Sequence, residues 1–390
     1  MNQGKYVFSQ IVTFLPARVF DRCVQQFKGD KWVKHFTCWN QLLCMMFGQL
    51  SNRDSLRDLL VCINAHKPKH YHLGFGKSIS RSNLAEANEK RDCQIFEMFA
   101  YEMIAEAQRS CLPDSDFELS IKGNVYAFDT TVIDLCLNVF WWATFRRAKA
   151  AIKLHTLLDV KTSIPVFVHL TPASTHDVKG LDELIYETGG YYILDRGYID
   201  FDRLWTIDKH EAYFVIRAKK NLQFTRISSE KVDKKAGIIC DQQISLKGFY
   251  SSQSYEKTLR RVKFRDTEQH RSFVFLTNNL DLPATEIAHL YKYRWKIELF
   301  FKWIKQHLKI KSFWGTSVNA VKIQIYCAII TYTLVVILKG KLKLNQSTYE
   351  ILQITSVSLL DKTPIRTLFE NPIYHDVKEQ NNNQLKIKLI

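Results

Sequence analysis

Residues 191–198 read Tyr-Tyr-Ile-Leu-Asp-Arg-Gly-Tyr, and this stretch decides how the fold is interpreted. Its first four residues are aromatic or apolar, which predicts a buried strand that ends at Asp195. The stretch Val-Tyr-Ala-Phe at 125–128 has the same character and ends at Asp129. Ligands bind at the carboxyl ends of strands in α/β sheets, so both aspartates are well placed for a site. For either aspartate alone, a turn or helix-capping role is the more common explanation.

The segments around these two stretches alternate between strand and helix patterns. Apolar and β-branched runs predict strands at 125–129, 132–136, 152–160 or 165–170, 191–195 and 212–217, and helical spacing predicts helices at 181–186 and 201–209. This order predicts a mixed α/β sheet. Residues 218–271 break the alternation because they are rich in Lys, Arg, Ser and Gln, and they predict a mostly β insertion. The run 272–277 then returns to a strand.

Residues 1–112 predict an all-helical domain, because apolar residues recur at helical spacing throughout. After two glycines, the segment 78–83 reads Ser-Ile-Ser-Arg-Ser-Asn and leads into a long helical pattern. We expect Asn83 to cap that helix and Glu86 to complete a capping box. A basic cluster at a helix start is typical of a helix-turn-helix DNA reader, and an ordinary capped helix in a bundle is the alternative.

The chain of 390 residues carries a formal net charge of +16. Its length allows about two or three domains. Such an excess of Lys and Arg favours a polyanionic partner, above all nucleic acid, because cations that neutralise phosphates release counterions. A ribosome-associated protein, a membrane-surface protein and a basic enzyme are the alternatives.

The nine cysteines are odd in number and include no Cys-x-x-Cys pair. This pattern argues against zinc fingers and a disulfide framework, and it favours free thiols in a reducing compartment. Residues 323–338 are strongly apolar, but the run is short for a membrane span and Gln324 interrupts it. We expect a buried helix and no membrane partner, with a membrane segment as the alternative. The N-terminus shows no signal-peptide pattern.

Pro283 predicts the start of a long helix that runs to about Leu308. At about 100° per residue, four polar side chains on it fall within a stripe about 60° wide. These are Tyr291, Arg294, Glu298 and Lys305, and Lys302 and Lys309 extend the stripe. The opposite face is apolar and suits packing on a core; it holds Ile297, Phe300, Trp303 and Ile304.

Glu298 is the one acid between residues 291 and 311, where basic residues are frequent. A solvated charged face, with Glu298 in salt bridges along the helix, is one explanation. The other is a catalytic site in which the cations hold a DNA backbone and the carboxylate holds a metal. With Asp129 and Asp195, Glu298 would supply three carboxylates, which can hold two Mg²⁺ ions that bridge a scissile phosphate.

These residues carry a resemblance to a known family. The spacing Tyr291-x(2)-Arg294-x(3)-Glu298-x(6)-Lys305 resembles the signature of the insertion-sequence-four family of transposases, a DDE and ribonuclease H-like group. Phe-Asp-Thr around Asp129 is similar to the first catalytic aspartate motif of that family, and Leu-Asp-Arg-Gly-Tyr around Asp195 is similar to the second. The similarity covers roughly residues 120–340. The helical N-terminal segment also resembles the DNA-binding domain of one subgroup.

The resemblance implies a role for each matched residue. Asp129, Asp195 and Glu298 would form the catalytic, metal-binding triad, with two Mg²⁺ ions for which Mn²⁺ substitutes. The DNA-contacting residues would be Tyr291, Arg294, Lys305 and Lys302. The chain would comprise a helical DNA-binding domain (1–112), a ribonuclease H-like catalytic domain (120–217 and 272–340), the β-rich insertion (218–271) and a C-terminal segment (341–390).

The resemblance also implies an activity. The chain would bind the terminal inverted repeats of a bacterial insertion sequence, cleave the DNA ends and join them to target DNA by cut-and-paste transposition. Synapsis would require a homodimer, and the protein would act in the bacterial cytoplasm at the nucleoid. The alternatives are a DNA-binding protein descended from a transposase and a ribonuclease H-like nuclease that cuts without joining.

Some family members hold a flipped base with an aromatic residue of the insertion. No Trp lies between 218 and 271. Phe249, Tyr250 and Phe264 could stack on a base, although core packing is the favoured role for each.

Several other polar residues have weaker patterns. Lys153 and His155 alternate along a predicted strand, where they would either reach the site edge or lie on a solvated face. His176 and Asp177 are interpreted as turn residues with a possible supporting role. Asp159, Asp200 and Asp202 are expected to be structural.

Overall fold

A mixed β-sheet forms the centre of the computed structural model, which describes residues 4–76, 79–110, 117–135, 142, 144–146, 149–266, 270–308, 310 and 313–370. Its strands are β1 (Val125–Leu135), β2 (Thr144–Arg146), β3 (Lys149–Asp159), β4 (Ile164–Pro172), β5 (Tyr191–Leu194), β6 (Tyr213–Arg217), β7 (Phe224–Ser229), β8 (Ile238–Leu246), β9 (Leu259–Asp266) and β10 (Arg271–Thr277).

Helices precede, cover and follow the sheet. They are α1 (Val7–Val12), α2 (Ala17–Gln26), α3 (Cys38–Leu50), α4 (Leu56–Ala65), α5 (His70–Leu73), α6 (Arg81–Lys90), α7 (Gln94–Ser110), α8 (Phe201–Lys209), α9 (Phe249–Ser254), α10 (Ala284–Lys292), α11 (Trp295–His307), α12 (Val318–Leu342) and α13 (Thr348–Ser358). Short 3₁₀ helices span Lys67–Lys69, Asp177–Glu183 and Arg196–Tyr198. The predicted mixed α/β sheet and helical N-terminal segment are both confirmed.

The sheet has the strand order β2-β3-β1-β5-β6-β10-β9-β8-β7. The strand β4 pairs with residues 152–159 of β3, beyond the short pairing of β2 with the start of β3. The strands β1, β5 and β6 are parallel neighbours, whereas the other pairings are antiparallel. The strands of the region 218–271 therefore do not form a separate sheet. They are joined to the central strands through β10 and extend the same sheet, which confirms their β character.

Both faces of the central strands are buried. Alternation along β1 places Val125 and Ala127 in the large core that the N-terminal helices and α12 share. Tyr126 and Phe128 point the other way into a smaller core, which includes Leu204 of α8. Because both faces are covered, polar side chains on these strands must find partners at the strand ends or within the protein.

The apolar segment predicted at 323–338 is the middle of the longer helix α12. Within the described part of the chain, α12 is the one helix long and apolar enough to span a membrane, but 94% of its most apolar window is buried inside the protein. It packs against α3, α6 and α7. The interrupting Gln324 is buried, and its Oε1 accepts a 2.8 Å hydrogen bond from the Trp314 amide. The buried-helix prediction is confirmed.

Three local predictions are wrong. Ser80, not Asn83, caps α6: its hydroxyl accepts from the Asn83 amide, and Glu86 pairs with Lys90 instead of closing a capping box. The strands predicted at 125–129 and 132–136 are one continuous strand. The helix predicted at 181–186 is a 3₁₀ helix that ends at Glu183.

The cysteines that the structure describes are free thiols, as expected: Cys23, Cys38, Cys44, Cys62, Cys93, Cys240 and Cys327. Burial raises the pKa of Cys38 to about 12. Such buried thiols act as small apolar side chains rather than as nucleophiles.

Gly48 of α3 packs directly beneath the ring of Trp314. A Cβ at Gly48 would clash with Cη2 of that ring and lie 3.0 Å from Cζ3. A helical Gly→Ala change normally stabilises by up to about 1 kcal/mol. Here we expect the opposite sign: Gly48→Ala should lower the free energy of unfolding by about 1–3 kcal/mol, because overpacking forces the ring to move. Urea unfolding measures this difference.

The Trp314→Leu background is the control for this prediction, because leucine lacks the ring atoms that the new methyl group would meet. In that background Gly48→Ala should be neutral or stabilising. If Gly48→Ala destabilised both backgrounds equally, the loss of stability would not come from the contact between Gly48 and Trp314.

Candidate active site

Asp129 and Asp195 occupy matched positions on neighbouring parallel strands. The pairing of β1 with β5 runs from Val125 opposite Tyr191 to Phe128 opposite Leu194, and each aspartate is the next residue. The strand β5 stops there and the chain turns into the Arg196–Tyr198 helix, whereas β1 continues to Leu135. Asp195 therefore lies at a strand end as predicted. Asp129 lies in mid-strand, at the point where its parallel neighbour ends.

The helix predicted from Pro283 to Leu308 is not continuous. It is divided into α10 and α11 by a tight turn at Tyr293 and Arg294, whose backbone amides bond to the carbonyls of Leu290 and Tyr291, three residues back. Contacts to backbone that precedes β1 and follows β3 hold both sides of this turn: the Glu118 amide donates to the Tyr293 hydroxyl, and Lys296 Nζ donates to the Val160 carbonyl at 3.0 Å. A tightened turn of this kind changes the direction of the side chains that follow it.

The turn brings Arg294 between two carboxylates. One guanidinium nitrogen lies 3.2 Å from Asp129 Oδ2, and the other contacts Glu298 Oε1. One turn earlier, the Tyr291 hydroxyl donates to Asp195 Oδ1 at 3.2 Å. The structure thus connects all three predicted carboxylates through the side chains of Tyr291 and Arg294. Asp129 and Arg294 are largely buried, whereas the Glu298 side chain is 55% exposed.

Burial raises the pKa of Asp129 above its usual range. The Thr130 amide, at 2.8 Å from Oδ1, and the Arg294 guanidinium both oppose this shift. The Tyr198 hydroxyl lies 3.2 Å from Asp129 Oδ1 and 2.9 Å from Thr130 Oγ1. A carboxylate that has lost water in this way is stabilised by any cation that approaches it.

A second row of polar side chains lies behind Asp129. His155 is fully buried, with Nδ1 2.8 Å from Thr130 Oγ1 and Nε2 2.8 Å from Thr171 Oγ1. Burial lowers the pKa of His155 to about 4, so its ring is neutral and donates from one nitrogen only. Gly180 closes over the ring, where a Cβ would lie 2.5 Å from Nδ1. The solvated-face alternative for His155 is therefore wrong.

Lys153 is also buried rather than solvated. Its Nζ donates to the Thr175 carbonyl at 2.5 Å and pairs with Asp177 at 2.8 Å. His176 precedes the 3₁₀ helix that begins at Asp177, so the turn interpretation of this pair is confirmed.

The aspartates expected to be structural have local roles. Asp159 accepts bonds from the Lys161 amide and the Thr162 hydroxyl. Asp200 caps α8 through the Arg203 amide, and Asp202 lies in the first turn of that helix.

A cleft of about 570 Å³ opens beside Glu298. Tyr291, Arg294 and Glu298 line one wall, and Arg271 and Phe273 of β10 line another. The wall from β10 follows from the extension of the sheet by the inserted strands. It adds Arg271 to the cleft, opposite Asp266 of β9.

The remaining predicted DNA-contacting residues lie further along α11. Lys302 is exposed and lines a neighbouring groove with Trp295 and Tyr349. Lys305 is half-buried, and Lys309 lies outside the described residues. The apolar face predicted for this helix is confirmed: Ile297, Phe300 and Ile304 are buried, and Trp303 is half-buried.

The aromatic residues of the inserted region divide into two groups. Phe264 is buried, as core packing requires. Phe249 and Tyr250 on α9 are 70% and 81% exposed, with their rings edge to face at 5.3 Å. The predicted core-packing role is therefore wrong for Phe249 and Tyr250.

The carboxylates of the site are candidate ligands for a divalent metal ion. In the described parts of the chain no three His, Cys, Asp or Glu side chains converge closely enough to hold one ion. Asp129 and Asp195 provide adjacent hard oxygen donors, as Mg²⁺ prefers. Glu298 is within reach of them but is held by Arg294. In this structure Asp129 and Glu298 share the Arg294 guanidinium in place of an ion.

Comparison with known proteins identifies the family of the chain. A family model described as a transposase DDE domain matches residues 121–334, which include all three carboxylates, and the chain therefore belongs to the DDE transposase family. A second model, described as a domain of unknown function (DUF4372), matches residues 3–76. DDE domains generally use divalent metal ions.

The relatives with similar sequences are all named as transposases. A putative transposase, y4zB, of Sinorhizobium fredii (strain NBRC 101917 / NGR234) is 31% identical over 291 residues, 74% of this chain and 77% of its own length. A probable transposase for insertion sequence element IS5377 of Geobacillus stearothermophilus is 31% identical over 53% of this chain and 54% of its own length. A putative transposase for IS4SA of Synechocystis sp. (strain ATCC 27184 / PCC 6803 / Kazusa) is 26% identical, covering 67% and 73%.

Among solved structures, a piggyBac transposase synaptic complex with hairpin DNA aligns with a TM-score of 0.47 at 10% identity, covering 96% of this chain and 84% of that one. By its family domain and its relatives, the chain is an insertion-sequence transposase, an enzyme that cleaves DNA and transfers strands.

Tyr198, Thr130 and Thr171 are site residues that sequence reasoning did not assign, whereas it left His155 between the site edge and a solvated strand face. Tyr198 belongs to the quoted Asp-Arg-Gly-Tyr stretch, which is the available sequence signal. The two threonines and the histidine carry no spacing that distinguishes them from other strand residues.

The neutral state of His155 predicts a pH dependence of stability. Because its folded pKa of about 4 lies below the ordinary histidine value of 6.5, the unfolded chain binds the proton more tightly. The contribution is fully present above pH 6.5 and is lost as the pH falls toward 4, by up to about 3 kcal/mol. Urea unfolding from pH 7 to 4 should show a shallower loss for His155→Gln than for the wild type.

His176→Gln is the matched control, since His176 is exposed in a turn. It should keep the wild-type pH dependence. If His155→Gln loses stability over this range as steeply as the wild type does, the ring is not the group that titrates.

Proposed function

We propose that the chain carries out cut-and-paste transposition of a bacterial insertion sequence. It binds the terminal inverted repeats, cleaves the DNA at the ends of the element and joins those ends to target DNA. The observation that carries the proposal is the pairing of Asp129 with Asp195 on adjacent parallel strands and their connection to Glu298 through Arg294 and Tyr291.

In this proposal Asp129, Asp195 and Glu298 are the catalytic carboxylates and hold two Mg²⁺ ions, for which Mn²⁺ substitutes. When bound, such ions activate the attacking water or 3′-hydroxyl and stabilise the leaving oxygen. The protein orients the carboxylates. Tyr291 fixes Asp195, and Tyr198 and the Thr130 amide fix Asp129.

The same residues explain how DNA would enter the site. In the absence of DNA, the partners of Arg294 are carboxylates. A DNA phosphate is an equally suitable partner for a guanidinium. Transfer of Arg294 to phosphate would release Asp129 and Glu298. Tyr291 in the cleft, and Lys302 and Lys305 along α11, would follow the backbone on either side of the cleaved bond.

The wider organisation follows from this assignment. The order β4-β3-β1-β5-β6, antiparallel on one side of β1 and parallel on the other, supports a ribonuclease H-like core for 120–217 and 272–340. Residues 218–271 form its β-rich extension, 1–112 the DNA-binding domain and 341–390 the C-terminal segment. Two copies would bring two ends together as a homodimer. Free cysteines suit the bacterial cytoplasm, where the protein would act at the nucleoid.

The exposed pair Phe249 and Tyr250 supplies aromatic faces that the inserted region otherwise lacks for base stacking. We assign hairpin handling, where it occurs, to this pair rather than to Phe264, whose ring is buried.

The central test uses a linear DNA that carries the inverted repeats flanking the gene, incubated with protein and Mg²⁺. Wild-type protein should cleave at the repeat ends and join them to a target plasmid. Asp129→Ala, Asp195→Ala and Glu298→Ala should each slow cleavage by about a thousand-fold, because metal-based charge stabilisation is worth several kcal/mol. DNA binding by these variants, measured by gel shift, should be largely intact.

Asp202→Asn is the control, since Asp202 is an exposed acid on α8 outside the site. It should retain activity. Cleaved ends that never join would instead identify a nuclease, and shifted but uncut DNA with Mg²⁺ and Mn²⁺ alike would identify a binding protein. Full cleavage by one alanine variant would remove that residue from the triad.

The position of Arg294 predicts that it competes with metal for the carboxylates. Arg294→Gln should bind Mn²⁺ about ten-fold more tightly in the absence of DNA, because a positive charge next to Asp129 and Glu298 is removed. Isothermal titration calorimetry or the electron paramagnetic resonance signal of free Mn²⁺ measures this affinity without reference to activity.

Arg203→Gln provides a matched comparison, because Arg203 also contacts two aspartates, Asp182 and Asp200, but away from the site. Its Mn²⁺ affinity should equal that of the wild type. Adding Asp129→Asn to Arg294→Gln should abolish the gain. Unchanged or weaker Mn²⁺ binding by Arg294→Gln would show that the guanidinium does not compete with the ion.

A further inference from the structure

The turn that joins α2 to α3, residues 27–37, presents a tryptophan to solvent. The Trp32 side chain is 88% exposed, although this residue type usually buries most of its surface. The turn lies far from the carboxylates in sequence, within the region that matches the domain of unknown function. Its structure requires an explanation separate from catalysis.

The base of this turn is firmly attached to the protein. Gly29 packs so closely that a Cβ there would lie 2.5 Å from Ile95 and 2.8 Å from Cys38. Asp30 Oδ1 accepts a 2.7 Å hydrogen bond from the Cys38 amide at the start of α3. The Val33 amide closes the tip by donating to the Asp30 carbonyl at 3.1 Å. Trp32 therefore projects from an ordered support.

The backbone at the tip is strained. Trp32 has φ of +65° and Lys28 has φ of +53°, a region that large L-residues seldom occupy. Strain of this kind costs on the order of 1–3 kcal/mol and is concentrated at functional sites. Because the Trp32 side chain packs against little of the protein, its own burial does not offset this cost. A contact with a partner is the remaining physical reason for presenting it.

The surroundings of Trp32 are basic. Lys28 and Lys31 also line a pocket of about 520 Å³ with Lys90, which pairs with Glu86, and with Arg91, whose guanidinium donates to Gln41 Oε1 and the Phe36 carbonyl. Lys31 Nζ lies 5.6 Å from the centroid of the Trp32 ring. An exposed aromatic face beside Lys31, with the exposed Lys28 in the same turn, matches nucleic acid, whose bases stack and whose phosphates attract Lys and Arg.

The acids near the pocket are partly committed to other contacts. Glu86 pairs with Lys90 at 2.6 Å, and Asp30 is held by the Cys38 amide. The Asp92 carboxylate accepts from the Gln94 amide at the start of α7. Lys28 and Lys31 are both exposed and face outward.

The pocket is also connected to the catalytic half of the chain. Asn319, at the start of α12, donates to the Asn88 carbonyl at 3.0 Å and accepts from the Cys93 amide at 3.1 Å. The wall formed by α6 is thereby fixed to the segment that follows α11, the helix of Glu298. Asn83, where sequence analysis predicted a DNA reader, borders the same pocket.

We propose that the 27–37 turn is a contact surface for duplex DNA, in which Trp32 stacks against a base or sugar and Lys28 and Lys31 bind phosphates. The proposal rests on the proposed function, since it adds a contact on the DNA that the transposase binds. It moves the principal DNA contact of the helical region from the start of α6 to the neighbouring turn.

The test uses full-length protein and fluorescence anisotropy with labelled duplex DNA carrying the terminal repeat. Trp32→Gly should weaken binding by about ten-fold, and Trp32→Phe should retain most of the affinity because it keeps an aromatic face. The double change Lys28→Gln with Lys31→Gln should lower the salt dependence of binding by about two counterions. Ile185→Ala, at an exposed apolar residue between acids, should bind like the wild type.

Glycine accepts a positive φ without strain, so Trp32→Gly should not lower the urea midpoint of unfolding. Weaker DNA binding with unchanged or higher stability supports the proposal. Wild-type affinity in Trp32→Gly together with an unchanged salt slope in the lysine variant would overturn it and leave the proposed function intact. A lowered unfolding midpoint in Trp32→Gly would also overturn it, since Trp32 would then be structural. A wild-type protein that binds neither repeat nor random duplex at low salt would refute the proposed function itself.

Discussion

The contact of the Arg294 guanidinium with Asp129 and Glu298 is the interaction on which the site depends. Carboxylates that lie together at the edge of a covered sheet repel one another and lose water, and burial already raises the pKa of Asp129. A cation is therefore needed to keep them together. Arg294 supplies it from a residue 165 positions away from Asp129, which couples the helix pair α10 and α11 to the central strands. The tight turn at Tyr293 and Arg294 precedes α11, and Arg294 makes this contact from the turn itself.

Strand register accounts for the rest of the arrangement. The strands β1 and β5 pair in parallel with Phe128 opposite Leu194. This register alone makes the next residues, Asp129 and Asp195, neighbours. The inserted strands then continue the sheet outward from β6 through β10. This continuation gives α10 a surface on β6, β8 and β9, while α11 packs on β1. The extension of the sheet thus supports α10, whereas α11, the helix that carries Glu298, packs on the central strand β1.

The sequence predicts the parts of this structure that local patterns determine. Apolar runs locate the strands at 191–194 and 213–217, and helical spacing locates α8, because these patterns need no knowledge of distant partners. Polar residues were harder to place. His155 is buried because Thr130 and Thr171, from two other strands, satisfy both ring nitrogens, and no periodicity encodes that pairing. The division of the predicted long helix into α10 and α11 also depends on contacts between residues that are distant in sequence. Tyr293 and Lys296 bond to remote backbone and so hold the turn.

The neutral state of His155 has a consequence for charge balance at the proposed active site. The groups behind Asp129, namely Thr130, Tyr198 and His155, donate or accept hydrogen bonds but carry no charge. Compensation for the carboxylates must therefore come from the cleft. In the protein alone it comes from Arg294, and in the proposed reaction the same guanidinium has a phosphate as an alternative partner. DNA binding and metal binding would then reinforce each other, because each removes the reason for Arg294 to remain between Asp129 and Glu298.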